Sequence, residues 1–314
     1  MAVIIFSILG ALVLFLYSLS KLSTSFNELL GENVKKLMAS MTRNVFFSLI
    51  TGILATTLLN SSSVVIILTI LFINSGALTF RNSMGIILGA NIGTTVSSQL
   101  IALNIGIYSP ILLVVGLLGQ FLKLNLHWSK VFEALFYLGL LFFSLFLMEH
   151  SVEPLKNQPF FAKWMMHLEN PLAGIFAGAV VTVILQSSSA TVGIAIVVAK
   201  QAAISLTASI AVMMGSELGT CADTLLATIK GNRASLKAGL FHLFFNLLSI
   251  LVGVIFFVPF VRLVQWYSGE AALQTMLANA HVGFNIMGVL IFIWFLPFFE
   301  KLLNQLLPDK IHNS

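Results

Sequence analysis

Charged residues make up only 9% of this 314-residue chain, against roughly 25% in a soluble domain. That deficit excludes a soluble globular enzyme, a disordered chain and a nucleic-acid-binding protein. There is one cysteine, Cys221, so no intrachain disulfide and no cysteine-based zinc centre can form. No polar stretch is long enough to make a separate soluble domain. The N-terminus, Met1-Ala2-Val3-Ile4-Ile5-Phe6, lacks the basic start and small-residue cleavage site of a signal peptide and reads as a retained first helix. What is left is apolar: 58% hydrophobic residues and a mean hydropathy of +1.02. That is the composition of a chain living in a bilayer, and at about 20 residues per crossing it allows roughly seven to ten segments. The net charge of +5 calls for no acidic partner, because membrane proteins collect Lys and Arg in their cytoplasmic loops.

The apolar runs cover about 2–20, 44–75, 84–104, 109–124, 131–148, 171–204, 206–229, 238–261 and 279–299. Two of them, 44–75 and 171–204, exceed one crossing, and each carries a polar cluster at its centre: Asn60-Ser61-Ser62-Ser63 and Gln186-Ser187-Ser188-Ser189. The clusters lie 126 residues apart, and at that offset a gapless match extends far beyond them. Asn44 falls on Asn170, Gly52 on Gly178, Thr56 on Thr182, Gly89 on Gly215, Gly93 on Gly219 and Thr94 on Thr220. The matches fall on the rarer Gly, Thr and Ser positions, which marks an internal duplication. A weaker echo, H-x-x-F-N, joins His242–Asn246 to His281–Asn285.

A helix of about 32 residues spans roughly 48 Å, against a hydrocarbon core of about 30 Å. Each long segment therefore either tilts strongly or breaks at its polar cluster and turns back, which would put the serines near the midplane. A break leaves free N–H groups and a positive dipole end after the serines, suited to an oxyanion, and free carbonyls before them, suited to a small cation such as Na+. No Lys or Arg lies between Asn44 and Phe80 or between Asn170 and Ala199, so an anion there would rely on dipoles and co-bound cations. Broken helices paired by a repeat point to a secondary transporter's central site. The alternative for serines in a membrane helix is bonding back to a carbonyl one turn earlier and close packing.

If 44–75 turns back, the first unit has an odd number of crossings and the second is inverted. Lys21, Lys35, Lys36, Arg43, Arg81, Lys123, Lys130, Lys230, Arg233, Lys237, Lys301 and Lys310 then share one face, against Lys156, Lys163, Lys200 and Arg262 on the other. A spanning 44–75 gives nearly the same division, so charge alone does not choose. The hairpin is preferred because an inverted repeat accounts for the central clusters and for alternating access together.

With these residues in hand, the sequence resembles the sodium–phosphate cotransporter family marked by paired QSSS motifs. Gln186–Ser189, followed by Ala190-Thr191, matches the motif as it stands; the first copy has Asn60 in place of Gln. Gly85–Thr95 resembles the family's G-A-N-I-G-T-T signature, with Gly215–Cys221 as its repeat partner. The resemblance implies sodium-coupled movement of inorganic phosphate, or of a similar oxyanion, with no other cofactor. It places substrate and ion contacts at Asn60, Ser61, Ser62, Ser63, Gln186, Ser187, Ser188 and Ser189, and further at Asn91, Thr94, Thr95 and Thr220. The Na+ ligands are not separable from that set. Many bacterial members carry a soluble C-terminal domain resembling the PhoU protein, and this chain is expected to be a form without it. Glu217 departs from the signature, where Asn is the family residue, and Asp223 follows; intramembrane carboxylates are costly and functional by default, so both join the candidates, holding Na+ or H+.

The expected architecture is an all-α polytopic membrane protein, an inverted-repeat transporter with two re-entrant hairpins and about seven full crossings. It forms one transport domain over 1–314, with units of about 2–125 and 131–261 and an extra C-terminal helix at about 279–299. It is expected in a bacterial inner membrane, not to be an enzyme, with homo-oligomerisation open. Rival readings are a sodium- or proton-coupled carrier of another small anion, a channel or non-transporting membrane receptor, and an intramembrane hydrolase using Ser187 or Ser188 with His242. His242 and His281 have the chemistry of proton relays, with packed helix histidines holding hydrogen-bond partners as the preferred reading.

Overall fold

A computed structural model describes residues 2–40, 42–103, 105–122, 125–156, 158–229 and 231–308. Lys123, Lys230 and Lys310, used in the charge reading, lie outside them. Among the described residues there is no strand. In chain order the helices are α1 (Ala2–Ser40), α2 (Val45–Leu59), α3 (Ser62–Asn74), α4 (Phe80–Ala102), α5 (Ser109–Phe121), α6 (Leu126–Val152), α7 (Pro159–His167), α8 (Pro171–Leu185), α9 (Ser188–Lys200), α10 (Leu206–Thr228), α11 (Arg233–Ile255), α12 (Phe257–Ser268), α13 (Leu273–Phe292) and α14 (Leu296–Leu306).

Among the described residues, six stretches are long and apolar enough to cross a bilayer: Val3–Ser40, Phe80–Ala102, Leu126–Leu155, Leu206–Thr228, Arg233–Ile255 and Leu273–Leu306. The shorter α5, entered through the 3-10 turn Gly106–Tyr108, carries the chain between α4 and α6. The protein is an all-α, multi-pass membrane protein. The extra helix read at 279–299 is α13 and α14, joined by the 3-10 turn Ile293–Phe295, and two further boundaries differ from the sequence reading. The first helix does not stop near residue 20 but runs on to Ser40, because Leu22, Ser25, Val34 and Met38 give its polar second half a buried stripe. The run 238–261 is split at Phe256, where the short α12 turns aside.

Both over-long segments turn back at their polar clusters. Thr182 on α8 donates a 2.7 Å hydrogen bond to Thr191 on α9; in one straight helix, residues nine apart stand about 13 Å apart along the axis. In the first segment, Asn82 Nδ2 donates to the Thr42 carbonyl at 2.6 Å, so the chain enters α2 and leaves α3 at the same face. That face also holds the start of α11, since Asn232 N–H donates to Asn74 Oδ1 at 2.9 Å. Inversion follows from this. The first hairpin opens toward the face bearing Arg43, Arg81, Arg233 and Lys237, and the second toward the opposite face, where Lys200 pairs with Glu149.

Helix starts share their chemistry across the duplication. Asn44 and Asn170 cap α2 and α8, Ser61 and Ser187 cap α3 and α9, and Thr79 and Ser205 cap α4 and α10. The first arm of each hairpin then packs on the crossing that follows it through small residues, α2 on α4 and α8 on α10. A Cβ on Gly89 would stand 2.0 Å from the Leu49 carbonyl oxygen, and one on Gly215 would stand 1.9 Å from that of Ile175. With no hydrophobic drive between helices inside lipid, such close backbone approach supplies the attraction. At one equivalent contact the glycine changes sides: Gly85 meets the Ser48 side chain in the first unit, while Gly174 meets Ala211 in the second. The space is conserved although the residue supplying it is not.

The contact is directly testable. Gly89→Ala, which drives a methyl group into backbone, is expected to cost about 1–3 kcal/mol and to lower the thermal unfolding midpoint in detergent. Gly10→Ala on α1, where nothing lies within 4 Å of the new methyl, is expected to leave the midpoint unchanged or raise it.

Candidate functional site

The two hairpin tips are built alike to within a few degrees. Asn60 (φ 51°, ψ 32°) and Gln186 (φ 52°, ψ 33°) end their first arms in the left-handed region, which costs a side chain with a Cβ roughly 1 kcal/mol or more. Ser61 and Ser187 follow in extended backbone and start the second arms. Ser61 Oγ accepts from the Val64 N–H at 3.3 Å, and Ser187 Oγ from the Ala190 N–H at 3.1 Å. Each cap takes one of the first-turn N–H groups and leaves those of the next two serines without an intrahelical acceptor.

The tips meet. A cavity of about 430 Å³ is lined by Asn60, Ser61, Ser62 and Ser63 from one and Gln186, Ser187, Ser188 and Ser189 from the other. Its third wall is a face of α1, with Ser20, Ser23 and Thr24. Among the described residues no charged side chain lines it. The donors presented are therefore serine hydroxyls, carboxamides and two helix N-termini, a neutral set that favours an anion through oriented dipoles.

The α1 wall was not among the sequence candidates. Its signal was present as Ser20, Ser23 and Thr24, spaced for one helical face, but they fall where the apolar run ends. Ser23 Oγ donates to the Leu59 carbonyl, meeting one of the free acceptors at the end of α2. Ser97 on α4 was also missed; its hydroxyl donates to Asn60 Oδ1 at 2.5 Å and holds the first tip in place.

The remaining candidates separate into a second group. Asn91 and Thr95 bond back to carbonyls of α4, and Thr220 to one of α10; with Thr94 they are buried and do not line the cavity. Asp223 is half-buried on α10, also away from it. Glu217 is fully enclosed, its Oε1 lying 2.6 Å from His281 Nε2 on α13 and 3.5 Å from Asn285 Nδ2. The other nitrogen of His281 is 2.6 Å from Ser98 Oγ on α4. His242 on α11 is placed similarly against α10, with Nδ1 2.9 Å from Thr224 Oγ1, but its Nε2 has no partner. The duplication offset pairs Ser98 with Thr224, so the H-x-x-F-N echo marks two histidines held by equivalent hydroxyls.

The Na+/Pi-cotransporter family profile matches residues 14–150 and 152–291. YqeW of Bacillus subtilis (strain 168) is 26% identical over 308 residues, covering 98% of this chain and 99% of that protein. The "Putative inorganic phosphate export protein YjbB" of Escherichia coli (strain K12) is 22% identical over 96% of this chain, which spans 56% of that longer protein. The "Sodium-dependent phosphate transport protein 2B" of Homo sapiens is 35% identical over 98 residues, 31% of this chain and 14% of that protein. No solved structure matches.

One asymmetry between the tips gives a prediction of opposite signs. Thr182 has Thr191 as its partner, whereas in the first unit the position of Thr191 is Val65, and the buried Thr56 hydroxyl has no partner. Thr182→Val is expected to lower the unfolding midpoint, by about 1 kcal/mol of stability. Thr56→Val, which removes an unpaired buried hydroxyl at constant volume, is expected to raise it. Equal effects at the two sites would contradict this geometry.

Proposed function

The chain belongs to the Na+/Pi-cotransporter family, and on that premise we propose that it moves inorganic phosphate across a bacterial inner membrane by alternating access, coupled to Na+. Membership makes it a membrane transport protein rather than an enzyme. The observation that carries the reading is the cavity joining both serine triplets.

In this reading phosphate sits between the tips. The N–H groups and hydroxyls of Ser62, Ser63, Ser188 and Ser189 donate to its oxygens, with Ser61 and Ser187 fixing the helix starts and Asn60 and Gln186 closing the sides. A doubly charged anion in a cavity without cationic side chains is poorly compensated by dipoles alone. Na+ ions bound with it supply the missing charge, and the free carbonyls ending α2 and α8 are oxygen donors of the right kind. Neither ion then moves alone, which is coupling by charge balance. Asn91, Thr94, Thr95 and Thr220 act from behind the tips, on the crossings against which the hairpins lean. Glu217 and Asp223 stand as the acidic groups on the cation side of the mechanism.

The inverted hairpins give the motion a basis. The transport domain is read as two units of about 2–125 and 131–261 with the extra helix at about 279–299, each hairpin opening to its own face. Rocking of one unit on the other exposes the cavity to the two faces in turn. The face bearing Arg43, Arg81, Arg233 and Lys237 is the cytoplasmic one by its excess of basic residues.

In proteoliposomes, labelled phosphate uptake is expected to saturate and to rise with an inward Na+ gradient. Ser61→Ala and Ser187→Ala each remove a cap worth about 1 kcal/mol, and the double variant is expected to lose uptake while remaining monodisperse. Uptake that persists in the folded double variant, or that ignores Na+, would sink the reading.

A further inference from the structure

The Glu217–His281 pair is the one place in the described core where a carboxylate and an imidazole meet away from solvent, at 2.6 Å with both side chains almost fully buried. Ionised glutamate beside neutral histidine leaves one uncompensated negative charge inside the bilayer, which is strongly disfavoured. Something positive must join it. A hard metal cation takes oxygen ligands, yet what faces Glu217 Oε1 is the His281 ring nitrogen and the Asn285 amide nitrogen. That arrangement suits a proton: added to the pair it gives a carboxylate–imidazolium contact of zero net charge, with no further ligands required.

The position of the pair ties it to movement. His281 bridges Ser98 on α4, in the first unit, to Glu217 on α10, in the second. The residue before Ser98 is Ser97, which holds Asn60 at the cavity. A change in the protonation of His281 alters whether its Nδ1 accepts from or donates to Ser98, one residue from the tip's anchor. The equivalent place in the first unit carries no such pair. There the residue is Asn91, bonded to its own helix, and His242 has no carboxylate on its free nitrogen.

Few other titratable groups stand around the pair. His242 faces from α11, with Lys237 and Arg233 near that helix's start. Cys221 and Asp223 lie on α10 itself. From α3 and α8 there is no titratable side chain, α4 and α9 carry only Arg81 and Lys200 at their outer ends, and α12 brings Arg262 and Tyr267, the latter donating to the Asn279 carbonyl of α13.

We propose that Glu217 and His281 form a proton-binding site whose occupancy is coupled to phosphate movement, so that a proton crosses together with Na+. This rests on the transport reading above. The test uses the full chain in proteoliposomes with equal Na+ on both sides, membrane potential clamped, external pH fixed and internal pH raised. One coupled proton is expected to raise phosphate accumulation, corrected for phosphate's own protonation, about tenfold per pH unit. Glu217→Asn, which installs the residue of the first unit, and His281→Gln are expected to abolish that response. Wild type that moves phosphate on a Na+ gradient yet ignores the pH gradient overturns the proposal, and that arm decides even if neither variant folds. So does a response that survives in both variants. If wild type moves no phosphate at all, the transport reading falls, and infrared difference spectra between pH 8 and pH 5 still judge the site: an imidazolium or carboxyl band lost in either folded variant supports it, and identical spectra overturn it.

Discussion

A helix that stops halfway through a bilayer leaves its end groups with no water to meet them, and everything at the centre of this protein answers that constraint. A left-handed residue turns the chain, a serine caps the new helix, Ser23 meets one of the abandoned carbonyls, and Ser97 holds the first tip. These devices satisfy most of the exposed backbone but not all of it. The N–H groups left over at two opposed tips are what give the cavity its character. In the proposed reading, the anion's binding site and an incompletely capped helix break are the same object.

The duplication supplies the frame, and the differences between its halves supply chemistry that the frame does not. Caps, tip dihedrals and glycine contacts repeat closely, because each is needed for a hairpin to lie against its neighbouring crossing. Where the halves diverge, the change is chemical rather than structural. Asn91 becomes Glu217, Ser97 becomes Asp223 and Val65 becomes Thr191. Of the two equivalent crossings, α10 thus holds carboxylates that α4 lacks.

Much of this was legible in the sequence. The serine triplets, their gapless offset and the polar interruption of two long apolar runs pointed to the hairpins, and both triplets line one cavity. Segment length was a poorer guide than it looked: α1 is longer than either interrupted run and continues unbroken from Ala2 to Ser40. The α1 wall of the cavity escaped notice because three hydroxyl residues on a helix face carry no signature until the partner surface is known. The placement of His281 against Glu217 was equally invisible, since α13 and α10 come together only through the packing of the two units, and sequence distance says nothing of it. The H-x-x-F-N echo pointed at real symmetry, but at one of surroundings rather than of the duplication register.

The wall that α1 contributes has a consequence of its own. Both tips are copies of one design, but the face carrying Ser20, Ser23 and Thr24 has no matching copy across the cavity. Under the proposed alternating access, exchanging the roles of the two units therefore would not regenerate the same chamber. An opening toward one side of the membrane and an opening toward the other would be different shapes with different linings, and a molecule fashioned to plug the first would be no plug for the second.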